Sequence, residues 1–155
     1  LALDQLEQLA EQSRQSPEFW LHLSNAAAQM GFEARVAHLR LQLAGAKDGY
    51  FEAVVALTQT SEGGCRHPLT TGFRCPWEIG AQHEGKPTLN DAALIVLNRP
   101  NLPPGSVGDV QLHPLVPELW TAVQVGQIVR PWESRFIGEA EISAVVPRWP
   151  TSARC

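Results

Sequence analysis

Two hydrophobic periods divide this chain. Up to Gly45 the apolar residues recur at three- and four-residue spacing, as on one face of a helix. Leu3, Leu6, Leu9 and Ala10 make a first stripe, opened by a capping-box-like pair, Asp4 and Glu7. Ser16-Pro17-Glu18 gives an N-cap, a first-turn proline and an acidic residue, so a second helix starts there. Its stripe is Trp20, Leu23, Ala27 and Met30, with Gly31 as the stop. Phe32, Val36, Leu39 and Leu43 form a third stripe, which the pattern ends at Gly45.

From Phe51 the period becomes two: Phe51, Ala53, Val55 and Leu57 alternate with other residues, as along a strand with one buried face. The same reading predicts strands over 73–80, 92–98, 107–113, 121–125, 127–132 and 136–146. Breakers fall between them: Gly63-Gly64, Gly85-Lys86-Pro87, Pro100, Pro103-Pro104-Gly105, Pro114, Pro117 and Pro131. Many short strands with turn signals and no helices between them predict an antiparallel barrel or sandwich. The expected architecture is α+β. A helical segment over 1–48 precedes a β-barrel over 49–147, and 148–155 form a tail.

A resemblance narrows that class. The run Tyr50 to Arg74, YFEAVVALTQTSEGGCRHPLTTGFR, is similar to the opening of the third domain of bacterial elongation factor Tu. In that family a strand F-E-A-x-V-x-x-L leads to E-G-G-R-H-T-P-F and then G-Y-R. Here Phe51, Glu52, Ala53, Val55 and Leu57 occupy the strand, and Glu62, Gly63 and Gly64 the turn. Pro68, Gly72, Phe73 and Arg74 follow without a gap. A looser second block resembles the domain's closing strands. Pro104-Gly105 precedes 107–112, His113-Pro114-Leu115 follows, and Ser134-Arg135-Phe136-Ile137-Gly138-Glu139-Ala140 stands where the family has G-R-T-V-G-A-G. The two blocks cover about two-thirds of the chain. The resemblance implies an antiparallel barrel and, in the full factor, a domain that helps hold the T-stem of aminoacyl-tRNA.

The departures fall on the family's functional loops. The turn reads Cys65-Arg66-His67-Pro68, and Glu139 stands where the family has a small residue. A carboxylate there repels phosphate. Charge points the same way. Residues 1–48 carry 4 basic and 6 acidic side chains and the remainder 8 and 10, so neither part is basic. Phosphate-rich partners and anionic membranes need clustered Lys and Arg.

Nucleotide is not expected, since no G-x-x-x-x-G-K-[ST], N-K-x-D or D-x-x-G occurs. No cofactor is implied. A metal site would have to combine Cys65, His67 and Cys75 with His22, His38, His83 or His113, but Cys65-x-His67 is not a zinc spacing and no C-x-x-C exists. Cys75 alternates with Phe73 and Trp77 and reads as a core thiol. Cys65 with His67 could be drawn as a nucleophile and base, yet residues two apart on a turn rarely share that geometry. No catalytic residue is assigned. The odd cysteine count, the short apolar runs and a start without a basic n-region lead to the expectation of a cytoplasmic protein without a membrane span.

What remains is binding. Trp and Arg are the residues that most often carry interface energy. Cys65, Arg66 and His67 on one turn, with Arg130, Trp132, Glu133, Arg135 and Glu139 on the closing segment, make the candidate partner surface. The expected function is a non-catalytic protein-binding module that imitates the factor's surface, regulatory or immunity-like. The alternative is a translation-linked tRNA- or RNA-binding protein, which the charge balance disfavours.

Overall fold

A computed structural model describes residues 33–148. The expected helices and stripes before residue 33, and Trp149 in the tail, lie outside the described residues. The chain divides into two compact units: Tyr50–Val146 is one, and the described helix belongs to the other.

That helix, α1, spans Glu33–Asp48. It runs three residues past the expected stop at Gly45. The stop is Gly49, whose left-handed backbone (φ 82°) lets its N–H reach the Gly45 carbonyl at 2.8 Å. Lys47 sits in the last turn, where the helix dipole favours a cation.

The second unit is a closed antiparallel barrel of six strands. They are β1 (Tyr50–Leu57), β3 (Arg74–His83), β4 (Lys86–Val96), β6 (Val107–Pro114), β7 (Ile128–Pro131) and β8 (Gly138–Val146). Their order is β1-β6-β4-β3-β7-β8, and β8 pairs back onto β1. A two-stranded ribbon, β2 (Leu69–Thr70) with β5 (Asn101–Leu102), stands beside it. Closure leaves few free edges, which removes the usual site of unwanted strand pairing.

Alternation fills the interior. Phe51, Ala53, Val55 and Leu57 of β1 are buried, as are Cys75, Trp77 and Ile79 of β3. Ala92, Leu94 and Val96 of β4, Val110 and Leu112 of β6, Val129 of β7, and Ala140 and Ile142 of β8 complete the lining. Of the strand residues that the alternation points inward, Phe51, Ala53, Val55, Leu57, Cys75 and Trp77 are buried, while Phe73 is half-buried and packs against the core.

Several elements differ from the pattern. The span 121–125 is not a strand. Pro117–Trp120 forms a 3-10 turn, and the loop after it inserts Trp120 and Val123 into the core while Thr121 and Val125 stay exposed. Trp120 is therefore a core residue, packed at 5.6 Å between centroids on Phe51, and not a surface anchor. Gly85-Lys86-Pro87 does not interrupt a strand either. Glu84 (φ 52°) and Gly85 (φ 78°) form a two-residue turn with both φ positive, and β3 and β4 run up to it through the His83–Lys86 pair. Pro87 is tolerated because β4 has β3 on one side there and meets β6 only from Ala92. Finally, β8 begins at Gly138, not at Phe136. Phe136 makes only an isolated bridge to Trp132.

Candidate functional site

The candidate residues come from two segments some 60 positions apart, and the barrel brings parts of them together. The first is the loop from β1 to β2. Thr60–Glu62 forms a 3-10 turn closed by Gly63 in the left-handed region (φ 99°). Gly64 must be glycine because a Cβ there would lie 2.0 Å from the Thr58 carbonyl oxygen. The Thr60 hydroxyl donates to the Cys65 carbonyl and folds the loop back on itself. The second segment is the β7–β8 connection, held by Trp132 N–H to the Pro76 carbonyl at 2.9 Å and Glu133 N–H to the Arg135 carbonyl at 2.8 Å.

Arg135 bridges the two. Its guanidinium lies close enough to Gly63 that a Cβ there would come within 3.6 Å of it. The half-buried Cys65 thiol is pushed up from its ordinary range, first by burial and then by the Glu133 carboxylate, with Arg135 opposing. Cys75, fully in the core, is pushed up to about 12, chiefly by burial. Both thiols are thus held protonated at neutral pH, and thiolate chemistry has no support there.

Arg130 is held on two sides. Its Nη2 lies 3.0 Å from Glu78 Oε1, and its guanidinium carbon lies 4.1 Å from the centroid of the Phe136 ring. Trp132 meets the same ring edge to face at 5.0 Å. The result is a partly exposed stack of Trp132, Phe136 and Arg130.

Beside the stack is an open cleft of about 470 Å³. Ala56 to Gln59, at and just after the end of β1, Gly105, and Gly138 at the start of β8 line it. Arg130, Phe136, Glu62 and Glu139 supply the reaching side chains. Gly138 is required because a Cβ would lie 2.5 Å from the Ala56 carbonyl oxygen, so β8 could not close on β1. Of the eight candidate residues, Arg130 and Glu139 line this cleft. Glu133 and Arg135 are near enough to Cys65 to act on its charge, Arg135 also lies against Gly63, Trp132 is in the stack, and Arg66 and His67 are exposed on the loop. Among the described residues no hydrogen bond joins Cys65 to His67, and His67 is exposed. Among the described residues no group of three His, Cys, Asp or Glu is placed to hold a metal ion, and no helix is long and apolar enough to cross a membrane.

Sequence reasoning missed Phe136 and Glu78. Phe136 was expected to open a strand, where an aromatic is ordinary, and Glu78 falls within the strand expected over 73–80 without being singled out. A signal was available in the spacing: Arg130, Trp132 and Phe136 crowd one short connection with an arginine at each side. Compared with protein-family models and with curated proteins, the chain matches none.

Proposed function

We propose that the barrel is a non-catalytic protein-binding module of the cytoplasm. Its contact surface is the β1–β2 loop with the β7–β8 connection. The observation that carries this reading is the partly exposed Trp132–Phe136–Arg130 stack. Aromatic and arginine side chains held rigid at a surface lose little entropy on binding and are the residues most often found to dominate interfaces. The resemblance of 50–147 to the third domain of elongation factor Tu fits a closed antiparallel barrel and suggests whom such a surface serves. A barrel similar to that domain could compete for proteins that bind the factor, in a regulatory or immunity-like role. An RNA partner is less well supported, because Glu62, Glu133 and Glu139 stand among the few arginines of this surface.

The test is a parallel capture from an extract of the source cells with the wild-type chain and with Arg66→Ala, Trp132→Ala and Arg135→Ala. The expected result is one protein recovered by the wild type and lost with the variants. A gel shift with aminoacyl-tRNA runs beside it. A complex with tRNA that survives about 0.2 M salt, without a protein recovered, overturns the reading in favour of RNA, since non-specific phosphate binding falls steeply over that range.

A further inference from the structure

The cleft beside the stack has a chemistry of its own. Four ionisable side chains surround it: Arg130, Glu62 and Glu139 line it, and Glu78 stands next to Arg130. Arg130 is already committed. It is paired at 3.0 Å with Glu78 and laid over Phe136, so its charge is neutralised and its planar face is covered. Glu62 and Glu139 come from different elements, one from the β1–β2 loop and one from β8, and both line the cleft. Neither has an ion-pair partner among the described residues. The cleft therefore carries an excess of two negative charges over its paired cation. Phe136, 36 % exposed, adds an apolar surface to the same lining.

These features exclude some occupants. An anion would have to displace Glu78 from Arg130 and face two further carboxylates. A bare divalent ion lacks ligands, since among the described residues no third Asp, Glu, His or Cys joins the two to hold a metal ion. What fits is a cation at the end of an apolar stem, which can lie on an aromatic ring and hold its charge between two acceptors.

We infer that this cleft receives an arginine or lysine side chain of the partner protein, its charged head between Glu62 and Glu139 and its stem against Phe136. The inference rests on the reading of the barrel as a protein-binding module. It adds that the partner presents a basic side chain where this face is acidic. Charge complementarity of that sort sets register and speeds encounter more than it adds affinity.

The test uses the full chain, ¹⁵N-labelled, and two small probes of the same shape. One is Nα-acetyl-arginine N-methylamide. The other is the citrulline equivalent, which has no charge. With the arginine probe the amide signals of Gln59, Glu62, Gly138 and Glu139 should shift saturably, and with citrulline they should not. Glu62→Gln and Glu139→Gln should each weaken the arginine probe about two- to five-fold, the range of partly exposed ion pairs, and the double variant should lose it. The spectra themselves report whether each variant is folded. Equal shifts with both probes, shifts scattered over the barrel, or unchanged binding in the double variant would overturn the inference. If that happens while Trp132→Ala still loses the captured protein, only the basic-side-chain inference falls. If Trp132→Ala has no effect but the arginine probe binds as described, the cleft stands and the wider surface does not.

Discussion

The guanidinium of Arg130 lies 4.1 Å over the ring of Phe136 while its Nη2 holds Glu78 on the neighbouring strand β3 at 3.0 Å. A side chain fixed from two directions is preorganised, and preorganisation is what makes an exposed arginine useful to a partner. Arg130→Lys keeps the charge but loses the planar stack and the forked donor. It should weaken partner binding by about 1–2 kcal/mol with a melting temperature close to wild type, because a partly exposed ion pair contributes only about 0–1 kcal/mol to folding. Calorimetry on the captured partner, with a melting curve for each protein, checks both halves. Equal affinity for the lysine variant would remove the stack from the interface.

The barrel core holds two indoles whose N–H groups, in Trp77 and Trp120, have no hydrogen-bond partner among the described residues. A buried donor left unpaired costs about 1–3 kcal/mol. Phenylalanine removes that donor and gives up only part of the ring. Trp120→Phe should therefore cost no more than about 1–2 kcal/mol, whereas Trp120→Ala should cost about 3–5 kcal/mol through lost burial and a cavity. Urea unfolding of the two variants separates these terms. A phenylalanine variant as damaged as the alanine one would show that the indole nitrogen is satisfied.

Burial of the Cys75 thiol has a consequence for pH. Its value is raised from 9.0 in the unfolded chain to about 12 in the fold. A raised value means the folded state keeps a proton that the unfolded state has released. Stability is then full below pH 9 and declines as pH rises from 9 towards 12, by about 1.4 kcal/mol per unit from this group. Cys75→Ala should flatten that decline, even though it lowers stability at neutral pH. Denaturant titrations between pH 8 and 11, read as slopes, are the measurement. The same burial predicts that Cys75 reacts with a thiol reagent only on unfolding.

Much of the barrel was legible because burial on one face imposes alternation, and β1 and β8 alternate along most of their eight or nine residues. The misreadings share one cause: local patterns that imitate each other. Thr121, Val123 and Val125 alternate as a strand would, yet the loop is held by other bonds. Val123 N–H goes to the Trp120 carbonyl, Gln124 N–H to the Gln127 side chain, and Gln127 Nε2 to the Ile79 carbonyl. None of these is visible in a hydrophobic pattern. Gly45 was read as a stop because glycine is rare inside helices, but it is buried within α1, where the lack of a side chain serves packing. For the candidate surface, residue type was readable and arrangement was not. That Arg135 would reach Gly63 depends on how β8 and β1 register, which is a long-range property.

The β3–β4 turn offers a gain in stability. Glu84 is held at φ 52°, a left-handed region where Cβ crowds the following carbonyl at a cost of about 1 kcal/mol and where Gly, or Asn through local hydrogen bonding, is at ease. Its side chain is exposed. Glu84→Asn should raise stability by about 0.5–1 kcal/mol, while Gly85→Ala, at φ 78°, should lower it by about 1 kcal/mol. Thermal melts of both variants decide the matter. A stabilising Gly85→Ala would show that the turn is not of the two-residue form.

The last prediction concerns the partner surface as a whole. Arg66, Trp132 and Arg135 are drawn from both segments, and their changes act in different ways. Arg66 is exposed on the loop, so alanine there should leave folding within about 0.5 kcal/mol of wild type. Arg135 lies against Gly63, so its loss loosens the join between the two segments. Trp132 packs on Phe136, and its removal frees the ring that Arg130 covers. If the surface binds as one unit, Trp132→Ala should weaken the partner by about 2 kcal/mol or more, and the Trp132→Ala/Arg135→Ala double variant should lose less than the sum, because each change already disturbs the connection they share. Strictly additive losses would describe two independent contacts. Unchanged affinity in all three single variants, each with a wild-type melting curve, would move the partner site off this face of the barrel.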